Sequence, residues 1–210
     1  MQSENETPFT PEIRETPSSP VQPKKKNVFL SIVREIVQFV VIGAILYFGI
    51  RLYIAQPFIV SGSSMVPNFD NGDYLIVDEL TYRTREPERG EVVIFRYPND
   101  PSKYFIKRVV GLPEETVSVR DNKVTVQNAA GTEVLNEPYI TGSTQGRLSR
   151  TLGPNEYFVL GDNREFSSDS RSWGPVPRDH IVGRALVRLF PISSADILPG
   201  DERTVIEATK

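Results

Sequence analysis

The sequence predicts a mostly β domain of about 155 residues preceded by a single membrane-spanning helix. Two observations carry that reading. One apolar run, Ile36 to Ala55, is 20 residues long. From Gln56 onward the apolar residues come in short runs bounded by turn residues, few of them with a helical period of any length. Hydrophobic residues make up 39% of the 210, which suffices for one medium domain with appendages.

Taken in order, residues 1–26 are expected to be a disordered cytoplasmic tail. The first 23 are rich in Pro, Ser, Thr and Glu and have too little apolar area to offset their ordering entropy. Lys24, Lys25 and Lys26 close the tail. Residues 27–55 are the predicted transmembrane anchor, since 20 helical residues span about 30 Å, the thickness of a bilayer core. Arg51 sits near one end, where it can snorkel to the interface beside Tyr47 and Tyr53. A cleaved leader is the competing reading; Arg51 closing the run, and Tyr53-Ile54-Ala55 with a bulky residue where a small one is needed, argue against it. The lysines and Arg34 on the N-terminal side set the orientation by the positive-inside rule. The N-terminus is then cytoplasmic, and everything after Ala55 extracytoplasmic.

Residues 56–200 are the predicted β domain and 201–210 a C-terminal tail. Strands are expected at Tyr74–Asp78, Glu91–Phe95, Tyr104–Val110, Thr116–Val119, Lys123–Gln127, Glu156–Leu160 and His180–Phe190. Asp121-Asn122 makes a hairpin turn between two of them. Residues 128–152, rich in Gly, Thr and Ser, read as an exposed insertion.

Composition narrows the chemistry. With no cysteine and one histidine, thiolate nucleophiles, zinc clusters and two-histidine sites are excluded. A net charge of -3 gives no basic surface for nucleic acid. Any catalysis then rests on Ser, Lys, Asp, Glu, Arg or Tyr with at most His180, which stands at a strand mouth where a surface or capping role fits.

Three stretches draw attention. Ser61-Gly62-Ser63-Ser64-Met65-Val66-Pro67 puts hydroxyls just past the anchor. A serine is a poor nucleophile until a base takes its proton. Lys107 is the lysine set among apolar neighbours: strand alternation puts Phe105, Lys107 and Val109 on one face, and Ile106, Arg108 and Val110 on the other. To serve as a base near neutral pH, its pKa must fall roughly 3 below its usual value of about 10.4, a cost of about 4 kcal/mol that an apolar slot can supply. The third stretch, Gly161 to Arg171, follows an apolar strand and lacks both the phosphate-cradle and the calcium-loop patterns, so a polar network holding a site together is the better account.

Together these stretches resemble the type I signal peptidases, membrane-anchored Ser/Lys proteases, over roughly Phe58 to Val187. The family's Ser-Met-x-Pro is matched by Ser64-Met65-Val66-Pro67 and its Gly-Asp-Tyr by Gly72-Asp73-Tyr74. Lys-Arg-x-x-Gly-x-Pro is matched by Lys107, Arg108, Gly111 and Pro113. Gly161, Asp162, Asn163, Ser167, Asp169, Ser170 and Arg171 match the last box. The resemblance implies an antiparallel β-sheet domain, with Ser64 as nucleophile and Lys107 as its neutral general base. Ser167 would orient the amine and Met65 would pack over it. Asp162 would pair with Arg108, and Asp169 with Arg171, as structural supports. A signal-peptide-bearing preprotein would add as a strand, its small side chains at an Ala-x-Ala site selected by Phe58, Val60, Phe69, Phe105 and Ile106. No metal or cofactor is implied, and the partners are preproteins and the lipid bilayer.

Two positions depart from the family pattern. Gly62 stands where some members carry a serine that helps bind the oxyanion, leaving the Ser64 N–H as the chief donor. Glu114-Glu115 replaces a common Gly-Asp, with only a local turn effect expected. A self-cleaving repressor-type Ser/Lys protease and a non-catalytic peptide-binding β domain are the alternatives. The first is disfavoured by the predicted anchor, and the second predicts no adduct with serine-acylating agents.

Overall fold

The computed structural model describes residues 28–53 and 55–202. The predicted tail, its three lysines, Ile54 and residues 203–210 lie outside the described residues. Helix α1 spans Val28–Tyr53, 26 residues, over the expected anchor. Among the described residues no helix is long and apolar enough to cross a membrane; the side chains of Val28, Leu30, Phe48 and residues 50–53 are not among those described. Those that are include Val37, Phe39, Val40, Ile42 and Ile45, all exposed.

The β domain holds two sheets. Strands β1 (Ala55–Ile59), β2 (Tyr74–Asp78), β3 (Val92–Tyr97) and β4 (Asp100–Gly111) belong to the larger. Strands β5 (Thr116–Arg120), β6 (Lys123–Asn128), β7 (Gly131–Val134) and β8 (Leu148–Thr151) form the smaller. The chain then returns to the larger sheet with β9 (Glu156–Leu160), a helical turn α2 (Ser170–Trp173), β10 (Val176–Pro177), β11 (Ile181–Phe190) and β12 (Asp196–Ile197). The orders are β1-β2-β11-β3-β4-β9-β10, with β12 beside β11, and β7-β6-β5-β8. Every pairing between these strands is antiparallel.

Local chemistry accounts for the turns. Asp121 and Asn122 both take the left-handed conformation, φ 52° and 62°, the two-residue hairpin geometry that matches strand twist. Glu114 also has φ 67°, which explains why glycine suits that position. Glu115 is buried and accepts the Leu112 N–H at 2.8 Å and Arg89 Nη2 at 2.6 Å, so it ties the turn down.

Three apolar clusters fill the domain. One joins the smaller sheet to the ends of β4 and β9 through Val110, Val117, Val119, Val126, Phe158 and Leu160. A second surrounds Met65 with Val60, Phe69, Leu75, Val77 and Ile94. The third holds Val93, Phe95, Val109, Tyr157 and Val159.

The segment 128–152, expected as an exposed insertion, is exposed over most of its length. It supplies β7 and β8 and buries Leu135, Tyr139, Thr144 and Leu152. Its apolar residues are too widely spaced among Gly, Thr and Ser to show a period, yet Leu135, Tyr139 and Leu152 reach the core from irregular connections.

The register leaves two edges open. β1 is the last strand of its sheet and, among the described residues, pairs with β2 alone. β9 pairs with β4 only from Arg108 to Gly111, so among the described residues the rest of that edge of β4, back to Asp100, has no strand beside it. Phe58 of β1 and Tyr104 of β4 approach with ring centroids 5.3 Å apart, which brings the two open edges to one cleft.

Candidate active site

The segment between β1 and β2 is held from both ends. Val60 N–H donates to Asp73 O and Gly72 N–H to Val60 O, both at 2.9 Å. Within it Met65 and Phe69 are almost wholly buried, and the Met65 carbonyl accepts the N–H of Asn68 and of Phe69 at 3.0 Å. Sinking Met65 into the core fixes the residue before it, Ser64, at the surface of that core. Gly62, at φ 95°, has a backbone that L side chains rarely adopt, and its N–H donates to Asn71 Oδ1 at 2.9 Å.

Ser64 and Lys107 meet. Lys107 Nζ donates to Ser64 Oγ at 2.6 Å and to its neighbour's carbonyl, Ile106 O, at 2.8 Å. The lysine is only 4% exposed, and its Nζ stands 5.6 Å from the Phe105 ring centroid. Burial pushes its pKa down to about 8, against the smaller opposing pull of the Asp169 and Asp162 carboxylates. A deprotonated amine would present its lone pair along the same 2.6 Å line and so accept the serine proton.

A pH dependence follows with a fixed sign. If the neutral amine is the working form, kcat/KM is expected to rise with unit slope up to about pH 8 and then level off. At pH 6 it should be about a hundredfold below the plateau. Because the folded pKa lies below the unfolded one, burial of Lys107 is a penalty on stability. That penalty is full below pH 8 and is lost as pH rises past the unfolded value. A pH–rate profile with synthetic peptide checks the first statement; a flat profile from pH 6 to 9 contradicts it.

The loop from Gly161 to Arg171 supports the pair from one side. Asn163 clamps the backbone of the Ser63-Ser64 turn: its N–H donates to Ser64 O at 3.1 Å and its Nδ2 to Ser63 O at 3.0 Å. Gly161 has to be glycine, since a β-carbon there would collide with the Ser64 carbonyl and the Ser167 side chain. Asp162 and Arg108, both wholly buried, pair through Nε–Oδ1 at 2.8 Å and Nη2–Oδ2 at 2.6 Å. Asp162 Oδ2 also accepts Asn68 Nδ2 at 2.8 Å, and the Arg108 guanidinium lies 4.1 Å from the Tyr139 ring centroid. Asp169 accepts Arg171 Nε at 2.8 Å and Gly161 N–H at 3.1 Å while capping α2. Arg164, unremarked in the sequence, is buried and paired with Glu137, which ties the 128–152 segment to this loop.

A cavity of about 650 Å³ opens beside the pair. Phe58, Val60, Phe105 and Ile106 line it with Ser64 and Lys107, and Tyr104, Phe166 and Ser168, which sequence reasoning missed, join them. Phe69 does not. It is wholly buried beneath the Arg188 guanidinium, whose carbon lies 5.5 Å from the ring centroid, because an aromatic on this turn is needed as a core plug. Ser167 also departs from expectation: its buried Oγ has no hydrogen-bond partner among the described residues, and the amine's second acceptor is the Ile106 carbonyl. Its side chain is packed against Gly161 instead. Met65 lies in the core under the site. His180 bonds Arg96 O at 3.1 Å and is not among the cavity's lining residues.

The chain was compared with known proteins. A family model described as signal peptidase, peptidase S26, matches residues 33–190. A probable signal peptidase I-2 of Synechocystis sp. is 37% identical over 203 residues, covering 93% of this chain and 88% of that protein. A signal peptidase I of Leptolyngbya laminosa is 34% identical over 202 residues, with 92% and 95% covered. A signal peptidase IB of Staphylococcus aureus is 32% identical over 178 residues, with 76% and 92% covered. A family match over most of the sequence, with relatives spanning nearly its whole length, leaves one assignment: the chain belongs to the signal peptidase I family, peptidase S26.

Proposed function

We propose that Ser64 and Lys107 are the working pair of this signal peptidase, a serine endopeptidase that removes signal peptides. The observation that carries the reading is the 2.6 Å contact between Ser64 Oγ and a buried lysine amine at the end of an apolar cleft. Ser64 Oγ attacks the scissile carbonyl as its proton passes to Lys107, giving an acyl-enzyme. The resulting ammonium protonates the leaving amine, and the neutral amine then takes a proton from the water that hydrolyses the ester. The Ser64 N–H is the chief oxyanion donor, and Gly62 adds no side chain to it.

The preprotein binds as a strand between the open edges of β1 and β4. Phe58, Val60 and Ile106, over the floor made by Leu75 and Ile94, leave room for small side chains, so the cut falls after an Ala-x-Ala segment. Asp162 with Arg108 and Asp169 with Arg171 act as supports. Residues 27–55 anchor the protein in a bilayer, with the N-terminal tail cytoplasmic and residues 56–200 extracytoplasmic. Exposed apolar side chains at Ile36, Val37, Phe39, Val40, Val41 and Ile42 surround that helix on every face, a pattern that suits lipid and not water. Purified full-length protein incubated with a preprotein is expected to release a mature chain whose N-terminus follows Ala-x-Ala. N-terminal sequencing that places the cut elsewhere contradicts the cleft assignment.

A further inference from the structure

We propose that Phe166 is a specificity-determining residue that contacts the substrate residue immediately after the cut and favours an apolar side chain there. The proposal rests on the Ser64/Lys107 reading and extends it to the leaving side of the scissile bond. Phe166 is the one apolar residue between Asp162 and Arg171, yet it is 73% exposed and lines the cavity with Ser64, Lys107 and Ser168. An exposed phenyl ring forgoes its burial energy, which is recovered only when something covers it.

The exposure is not slack in the loop. The Phe166 N–H donates to Asn163 O at 3.2 Å, and Asn163 is itself bonded to the Ser63 and Ser64 carbonyls. Arg171 Nη2 holds the Arg164 carbonyl at 2.6 Å and reaches that of Ser167 at 3.5 Å. The ring is thus presented from a backbone pinned on both sides and fixed to the nucleophile.

Position along the cleft gives the subsite. Four antiparallel pairings separate β1 from β4 in the sheet order, so both strands run in the same sense, from the Phe58–Tyr104 contact toward Ser64 and Lys107. A peptide along their open edges places its acyl side between them. The loop carrying Phe166 stands at the Ser64 end, where the chain past the scissile bond has to leave.

The test uses full-length protein and peptides that share one Ala-x-Ala segment and differ only in the next residue: Ala, Leu, Phe or Asp. Leu and Phe are expected to exceed Asp in kcat/KM by about tenfold. In Phe166→Ala that ratio should fall to within about twofold, and in Phe166→Leu it should persist. Because each ratio is taken within one preparation, the folded fraction cancels. An equal ratio in wild type and Phe166→Ala, or the same rate for all peptides in wild type, overturns the proposal alone. Failure of wild type to cut any of them overturns the Ser64/Lys107 reading and the proposal with it.

Discussion

Lys107→Met is expected to lower kcat/KM for preprotein cleavage by about 10³- to 10⁴-fold while the protein stays folded. Methionine matches the length of the lysine stem and prefers the apolar slot, so no buried charge is stranded and only the base is lost. Folded stability near neutral pH should rise, because the amine is held at a pKa of about 8, below its solution value. Ser64→Ala is expected to lose activity to the same extent. The double variant should be little worse than either if the two act as one nucleophile–base unit. Steady-state kinetics on wild type and the three variants, with thermal unfolding as the control for folding, check this. A Lys107→Met enzyme within tenfold of wild type would remove the lysine from the mechanism.

Asp162→Ala is expected to destabilise the domain by about 3–5 kcal/mol, and to lower Tm by roughly 10 °C. Both members of the Arg108–Asp162 pair are 0% exposed, so taking away the carboxylate leaves a guanidinium that cannot reach water. The size of the loss is not the net worth of the pair, from which desolvation of both charges is subtracted; it is the penalty of stranding one partner. Arg108 keeps its bonds to the carbonyls of Gly90 and Gly200, which soften the loss without neutralising the charge. Because Arg108 adjoins Lys107 on β4, the variant should also lose activity as the strand shifts. Thermal denaturation followed by circular dichroism measures the effect, and a Tm change under 3 °C would show that the charge finds another partner.

The central strand of the site was legible because its pattern is local. In Tyr104–Val110 the period of two places Lys107 on the Phe105 face and Arg108 on the other, and the side chains divide that way. Lys107 lies beside the Phe105 ring and Arg108 with Asp162. The box from Gly161 to Arg171 was legible as a polar network, but not in its wiring. Nothing in the order of residues told that Asn163 would hold the Ser63 and Ser64 carbonyls, or that Ser167 would pack against Gly161 and leave its hydroxyl without a hydrogen bond among the described residues. Such bonds depend on loop geometry, which carries no period.

Phe69 shows the reverse limit. An aromatic near a cleft and an aromatic plugging a core read alike in sequence, and here burial decided for the core. The few buried residues of the segment 128–152 were hidden for a related reason: Leu135, Tyr139 and Leu152 reach the core one at a time from irregular backbone, so no alternation marks them. The open edges of β1 and β4, which shape the cleft, are properties of pairing between strands far apart in sequence and could be seen only in the fold.

The most direct test of the Ser64/Lys107 pair is the rate at which a serine-acylating inhibitor labels the full-length protein, followed by intact-mass and peptide mass spectrometry. A single adduct at Ser64, formed more slowly by orders of magnitude in Lys107→Met, is the predicted result. Labelling at Ser63, or a Ser64 rate unchanged by Lys107→Met, would contradict it.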